Sequence, residues 1–108
     1  MSPYTYVVVR KDIPMHHQAV QACHAALEAG FRFEQPKEVS NLILLHVGGE
    51  SELLELSRQL NNRGIQHHVF FEPDNGMGHS SLCTQALVTN RERRIFAELP
   101  MYSDKITE

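Results

Sequence analysis

Apolar and polar positions divide the chain into alternating strand-like and helix-like stretches. Tyr4 to Arg10 carries a valine run without alternation, the mark of a central strand covered on both faces. A helix is expected from Met15 to Ala29, with Pro14 at the first-turn position that proline fits and Gly30 as its stop. Asn41 to Val47 (NLILLHV) reads as a second buried strand, broken by Gly48-Gly49. Glu50 to Arg63 reads as a second helix. Leu53, Leu56 and Leu60 give it one apolar face, acidic residues crowd its first turns, and Gly64 ends it. Ile65 to Glu72 (IQHHVFFE) is a third strand. Pro73 to Ser81 is a loop by composition, Leu82 to Thr89 is a fourth strand, and Arg91 to Glu98 is a short helix closed by Pro100. Ser103 to Glu108 is polar and expected to fray.

The order is β-α-β-α-β-β-(α). The two strand–helix–strand units predict parallel pairing with right-handed crossovers. The short link between the last two strands predicts an antiparallel pair. On a helical wheel the first helix places Ala19, Cys23, Ala26 and Gly30 on one side, small enough to approach the sheet. His17, Gln21, His24 and Glu28 fall opposite as a polar stripe. A solvated face is the ordinary meaning of such a stripe. This one holds no lysine or arginine, and it starts at the charged corner Arg10-Lys11-Asp12.

Composition narrows the classes. The chain has 108 residues, 42% hydrophobic and 21% charged, which suits one domain with one core. No apolar run reaches the ~20 residues of a membrane span. The N-terminus lacks a signal-peptide pattern, so a cytoplasmic location is expected. Cys23 and Cys83 form no CxxC and are expected to stay free thiols. The net charge of −3 is unlike that of a general nucleic-acid binder, so any grip on a phosphate backbone falls to local groups such as Arg10 with Lys11, or Arg91, Arg93 and Arg94. Seven histidines give a charge that rises in mild acid.

Candidate chemistry gathers at two places. One is the corner where the first strand hands over to the first helix, a usual ligand position in open α/β sheets. The other is the third-strand end, Glu72-Pro73-Asp74, with His79-Ser80-Ser81 beyond it. Should they converge, carboxylate, imidazole and hydroxyl groups could orient a water and stabilise an oxyanion, as ester hydrolysis requires. Asp74-Asn75-Gly76 also fits a plain turn. His17 and Asp74 with His68 or His79 would be acceptable metal ligands. No HExxH or short Cys/His spacing supports that reading, and neither a metal nor a cofactor is expected.

The front of the chain resembles a known family. VVVRKDIPM followed by QACHAA is similar to the opening of the type-2, archaeal and eukaryotic kind of peptidyl-tRNA hydrolases. Asp74-Asn75-Gly76 with Ser80-Ser81 resembles that family's Asp-Ala-Gly loop and following threonine, and Leu99-Pro100-Met101-Tyr102 resembles its closing segment. The resemblance implies a three-layer α/β/α domain on a four-stranded mixed sheet. It implies hydrolysis of the ester joining a peptide to the 3′ end of tRNA, and a homodimer as a common state. Carried over by position, the family glutamine is Gln21, its aspartate Asp74, and its hydroxyl Ser80 or Ser81. The segment from Met15 to Gln21 is two residues shorter than the family pattern, and His17 stands where a lysine would be.

The expected catalytic set is therefore His17, Gln21, Asp74, Ser81 and His79, with Arg10, Lys11, His16 and Ser80 meeting the substrate. Two other readings stay open: a non-catalytic binding or accessory module that reuses the fold, and a hydrolase or metal-binding protein for another small substrate.

Overall fold

The computed structural model describes residues 2–103. The tail expected to fray lies, beyond Ser103, outside the described residues. Strand β1 (Tyr4–Arg10) leads into helix α1 (Met15–Arg32), then β2 (Asn41–Val47), α2 (Glu50–Asn62), β3 (His67–Glu72), β4 (Gly78–Thr84) and α3 (Asn90–Arg93), which continues as a 3-10 turn to Glu98. The sheet order is β2-β1-β4-β3. β1 and β2 pair in parallel from Tyr4–Asn41 to Arg10–Val47, while β4 runs antiparallel to both β1 and β3. The sheet is mixed, as the order of elements predicts. β2 and β3 are not neighbours, because β4 inserts between β1 and β3.

Alternation along β1 sends side chains to two different layers. Tyr6 and Val8 join Leu45, Val47, Leu82 and the α2 leucines Leu53, Leu56 and Leu60, and Ile95 and Phe96 close this larger core. Tyr6 and Phe96 stack with ring centroids 4.1 Å apart. On the other face Val7, Ala25 and Cys83 form a thin core with Ala22, Ala26, Ala29 and Leu44 around it. The fold is thus three layers, α1 on one face of the sheet and α2 on the other. No helix among the described residues is long and apolar enough to cross a membrane.

Several expectations need correction. Helix α1 passes through Gly30 and ends at Arg32, capped by the Phe33 N–H on the Ala29 carbonyl. Gly30 was expected to stop it, but a glycine inside a helix costs only about 1 kcal/mol, less than the turns it would interrupt. The wheel is also inverted. Gln18, Gln21 and Ala25 are the buried residues of α1, while Ala19, Cys23 and Gly30 are exposed and, of the four expected against the sheet, Ala26 alone packs on the thin core. The polar stripe faces the sheet because the sheet offers it partners. β3 starts at His67 rather than Ile65. β4 starts at Gly78, so His79, Ser80 and Ser81 are strand residues and not loop.

The chain end forms a further edge. The His46 N–H bonds the Pro100 carbonyl and the Tyr102 N–H bonds the Leu44 carbonyl. Pro100 to Tyr102 therefore runs antiparallel along the free side of β2, through a Leu45–Met101 bridge. This covers an edge that would otherwise present unpaired backbone groups.

Candidate active site

The polar stripe of α1 lies along the same-face residues of β3. His24 stacks on Phe70 with centroids 4.5 Å apart. Glu28 approaches His68 at 3.9 Å. The Gln21 Nε2 donates to the Glu72 carboxylate at 2.9 Å. Phe70 and Glu72 sit two apart on the strand and so share a face with His68. Helix residues three and four apart also share a face. The two periodicities mesh, and the stripe is an interface rather than a solvated surface.

A bulge in the β3–β4 pair brings two hydroxyls to one side. Phe70 pairs with Ser81 but Phe71 pairs with His79, leaving Ser80 as the extra residue. An inserted residue breaks strict alternation and re-aims side chains. Both serines turn to α1: the Ser80 hydroxyl donates to Gln21 Oε1 at 2.5 Å, and the Ser81 hydroxyl donates to the Gln21 main-chain carbonyl at 2.8 Å. Gln21 is only 1% exposed, and each end of its amide has a partner, as burial of a polar group requires.

Glu72 closes this cluster. Its carboxyl is held below the ordinary range, first by the Gln21 amide, then by the Asp74 N–H, with His24 and His17 adding to it. The Asp74 N–H reaches Glu72 Oε2 at 3.4 Å. Asp74 itself sits on the exposed turn Asp74–Gly76, and among the described residues its carboxylate makes no hydrogen bond. His17 and His16 stand at the start of α1 with ring centroids 4.1 Å apart, His16 exposed and His17 half-buried. Glu72 is missing from the catalytic set expected from the sequence. The available signal was its place at the strand end, two residues before Asp74 and on the face of Phe70.

His79 belongs to the other face. The bulge sends it toward α2, where its N–H donates to Glu50 Oε2 at 2.9 Å and its Nδ1 lies 3.2 Å from the same oxygen. The Glu50 carboxyl is lowered by these bonds from the His79 backbone and ring. Gly78 beside it has φ of +77°, and a Cβ there would meet Glu50 Oε2 at 2.5 Å. The positive φ favours glycine, and a larger residue would also push the Glu50 carboxylate off the His79 N–H.

Arg10 ties these parts together. Its guanidinium forks onto Asp12 at 2.7 and 2.9 Å and also reaches the carbonyls of Met77 and His79 at 2.8 and 3.1 Å. The paired Asp12 is held below its usual range, chiefly by the Arg10 hydrogen bond. Arg10 thus clamps the start of β4 to the end of β1. Lys11 lies on the other side of the corner, with its ammonium on the Ser103 carbonyl and 5.7 Å from the Tyr102 ring centroid. Tyr102 in turn donates to Gln18 Oε1 at 2.8 Å, and Gln18 Nε2 donates to the Ile13 carbonyl at 2.7 Å.

Of the residues expected at the site, Gln21, Ser80 and Ser81 therefore meet at one end of the α1–β3 seam, and His17 lies close enough to act electrostatically on Glu72. Asp74 borders it on the turn, His16 flanks it in solvent, and Arg10, Lys11 and His79 are engaged elsewhere. Among the described residues no three His, Cys, Asp or Glu side chains gather as a metal site. No curated protein matches the chain. Residues 4–89, most of the chain, match the family model of peptidyl-tRNA hydrolase PTH2, and the chain belongs to that family.

Proposed function

We propose that this protein hydrolyses the ester between a peptide and the 3′ end of tRNA, at the α1–β3 seam. The observation that supports the reading most is the Gln21 amide held between Ser80 and Glu72. That arrangement holds a carboxylate whose pKa is lowered, first by the Gln21 amide, at the end of the α1–β3 seam. In this reading Glu72, with Asp74 on the adjoining turn, holds a water and takes its proton. The water oxygen attacks the ester carbonyl, the bond to the 3′ oxygen breaks, and the proton passes to that oxygen. His17 donates toward the oxyanion in the position where the family lysine is expected. Gln21, Ser80 and Ser81 position the carboxylate, and His16 meets the nucleotide end. Arg10 and His79 act indirectly, by fixing the turn that carries Asp74.

Release of the N-blocked amino acid from N-acetyl-aminoacyl-tRNA, with the unblocked aminoacyl-tRNA left intact, is the expected result with purified protein. Equal stability of the blocked ester with and without protein, at enzyme in excess over substrate, would remove the proposal.

Two observations favour a second reading, a non-catalytic module. The Gln21 amide is satisfied from within the protein at both ends, and a histidine, His17, stands where the resemblance expects a lysine. That reading predicts retention of tRNA without turnover, and a His17→Lys variant that is equally inert.

A further inference from the structure

We propose that Ser57 is a second nucleophile, activated by His67 for acyl transfer from small esters. The Ser57 hydroxyl lies 2.7 Å from His67 Nε2, and His67 Nδ1 lies 2.9 Å from the Ile65 carbonyl. A carbonyl only accepts, so in the neutral ring Nδ1 carries the proton and donates to Ile65. Nε2 is left with its lone pair, and the Ser57 hydroxyl donates to it. Nucleophile, base and orienting acceptor thus stand in the order that activates a serine. A serine inside a helix commonly bonds the carbonyl one turn back; this one donates to an imidazole.

The pair owes its placement to β3. Alternation sends the neighbours His67 and His68 to opposite faces. His68 faces Glu28 of α1, so His67 meets α2, the helix that carries Ser57. Both residues keep partial solvent access. A hollow of about 450 Å³ opens beside the imidazole, lined by Phe33, Asn61, Gly64, Ile65, Gln66 and His67. Phe33 and Ile65 supply an apolar wall for a short acyl chain. Asn61, one turn after Ser57 on the same helix face, and Gln66 bring amide groups to the rim, a donor type that stabilises an oxyanion. His67 starts β3 and Glu72 ends it, about 17 Å apart along the strand, so this site is separate from the Gln21–Glu72 cluster. In the reaction, Ser57 Oγ bonds the ester carbonyl carbon while its proton passes to His67 Nε2. The bond to the alkoxy oxygen then breaks, and that proton leaves with the alcohol. Water reverses the sequence and frees the acid.

The test reads a covalent label and so stands apart from tRNA cleavage. A serine attacks a fluorophosphonate at phosphorus with loss of fluoride. Peptide mass mapping of treated wild-type protein should place the phosphonyl group on Ser57 and leave the exposed Ser51 of the same helix unmodified. p-Nitrophenyl acetate should acetylate the same residue. Ser57→Ala should abolish the label. His67→Gln keeps a hydrogen-bonding group beside Ser57 but removes the base, and should slow labelling by about 10²-fold. An unmodified Ser57 with either reagent, or a label spread equally over Ser57 and Ser51, overturns the proposal, as does His67→Gln labelled at the wild-type rate. If His67→Gln does not fold, the ratio of Ser57 to Ser51 labelling in the wild type decides.

Discussion

The Gln21 amide bonds the Glu72 carboxylate at 2.9 Å while its oxygen accepts from Ser80 at 2.5 Å, so one buried side chain joins a helix to two strands. Gln21→Ala should remove both bonds and leave the buried Ser80 hydroxyl without its acceptor. An unsatisfied buried group costs about 1–3 kcal/mol, and the lost side chain leaves a cavity besides. We expect a loss of about 2–4 kcal/mol in urea unfolding. Ser80→Ala, which removes the donor and leaves Gln21 Oε1 short of one bond, should cost less.

Acid should destabilise the fold in two windows. Burial, first, and Lys11, second, lower the pKa of His46, whose Nδ1 has no hydrogen-bond partner among the described residues. The unfolded chain therefore takes up this proton more readily, and stability falls as pH drops below about 6.5. The carboxyls of Asp12, Glu50 and Glu72 are also lowered. Their contribution is complete above the unfolded value of about 4 and is lost as pH falls through the lower folded values. Urea midpoints across pH 3–8 check this: His46→Leu should flatten the upper step, and Glu72→Gln should reduce the lower one.

Arg10 is only 12% exposed in its side chain, and lysine cannot reproduce its fork. Arg10→Lys should lose the bidentate contact and at least one of the bonds to Met77 and His79. Because Asp12 is partly solvated, about 1–3 kcal/mol is expected. Hydrogen exchange should quicken at residues 74–79 more than in α2.

The two thiols should differ sharply. Burial pushes the Cys83 thiol up to about 11, so it carries almost no thiolate at pH 7–8. Cys23 is exposed. Native protein should give one fast equivalent with a disulfide reagent, and denatured protein two. Two fast native equivalents would contradict the buried placement of Cys83.

Elements built on apolar runs were legible from the sequence. The apolar run of β2 and the leucine spacing of α2 leave few other places for them; β1 and the α2 core face stand as read, while β2 keeps its bounds but is buried only from Leu45 to Val47. The orientation of α1 was not legible, because hydrophobicity alone points the wrong way there. Its buried side is Gln18, Gln21 and small alanines, matched to Ser80, Ser81 and Glu72 on the sheet. Those partners are about fifty to sixty residues away in the chain, and only the folded sheet reveals them. His79 was misplaced for a related reason: a single inserted residue, Ser80, sends neighbours to opposite faces, and no local pattern marks it. The family motif located Gln21 and the turn at Asp74. The carboxylate in contact with Gln21 proved to be Glu72, which the motif does not mark.

In the proposed reaction the carboxylate fixed by Gln21 activates water for ester cleavage. The direct test is the single-turnover rate of N-acetyl-aminoacyl-tRNA cleavage by wild type, Glu72→Gln and Asp74→Asn at pH 7.5. Glu72→Gln keeps the shape of the site but removes the base, so its rate should fall by about 10²–10⁴-fold, with Asp74→Asn slowed less and folding unchanged in both. Cleavage by Glu72→Gln at the wild-type rate, or no cleavage by wild type, would rule out this role for Glu72.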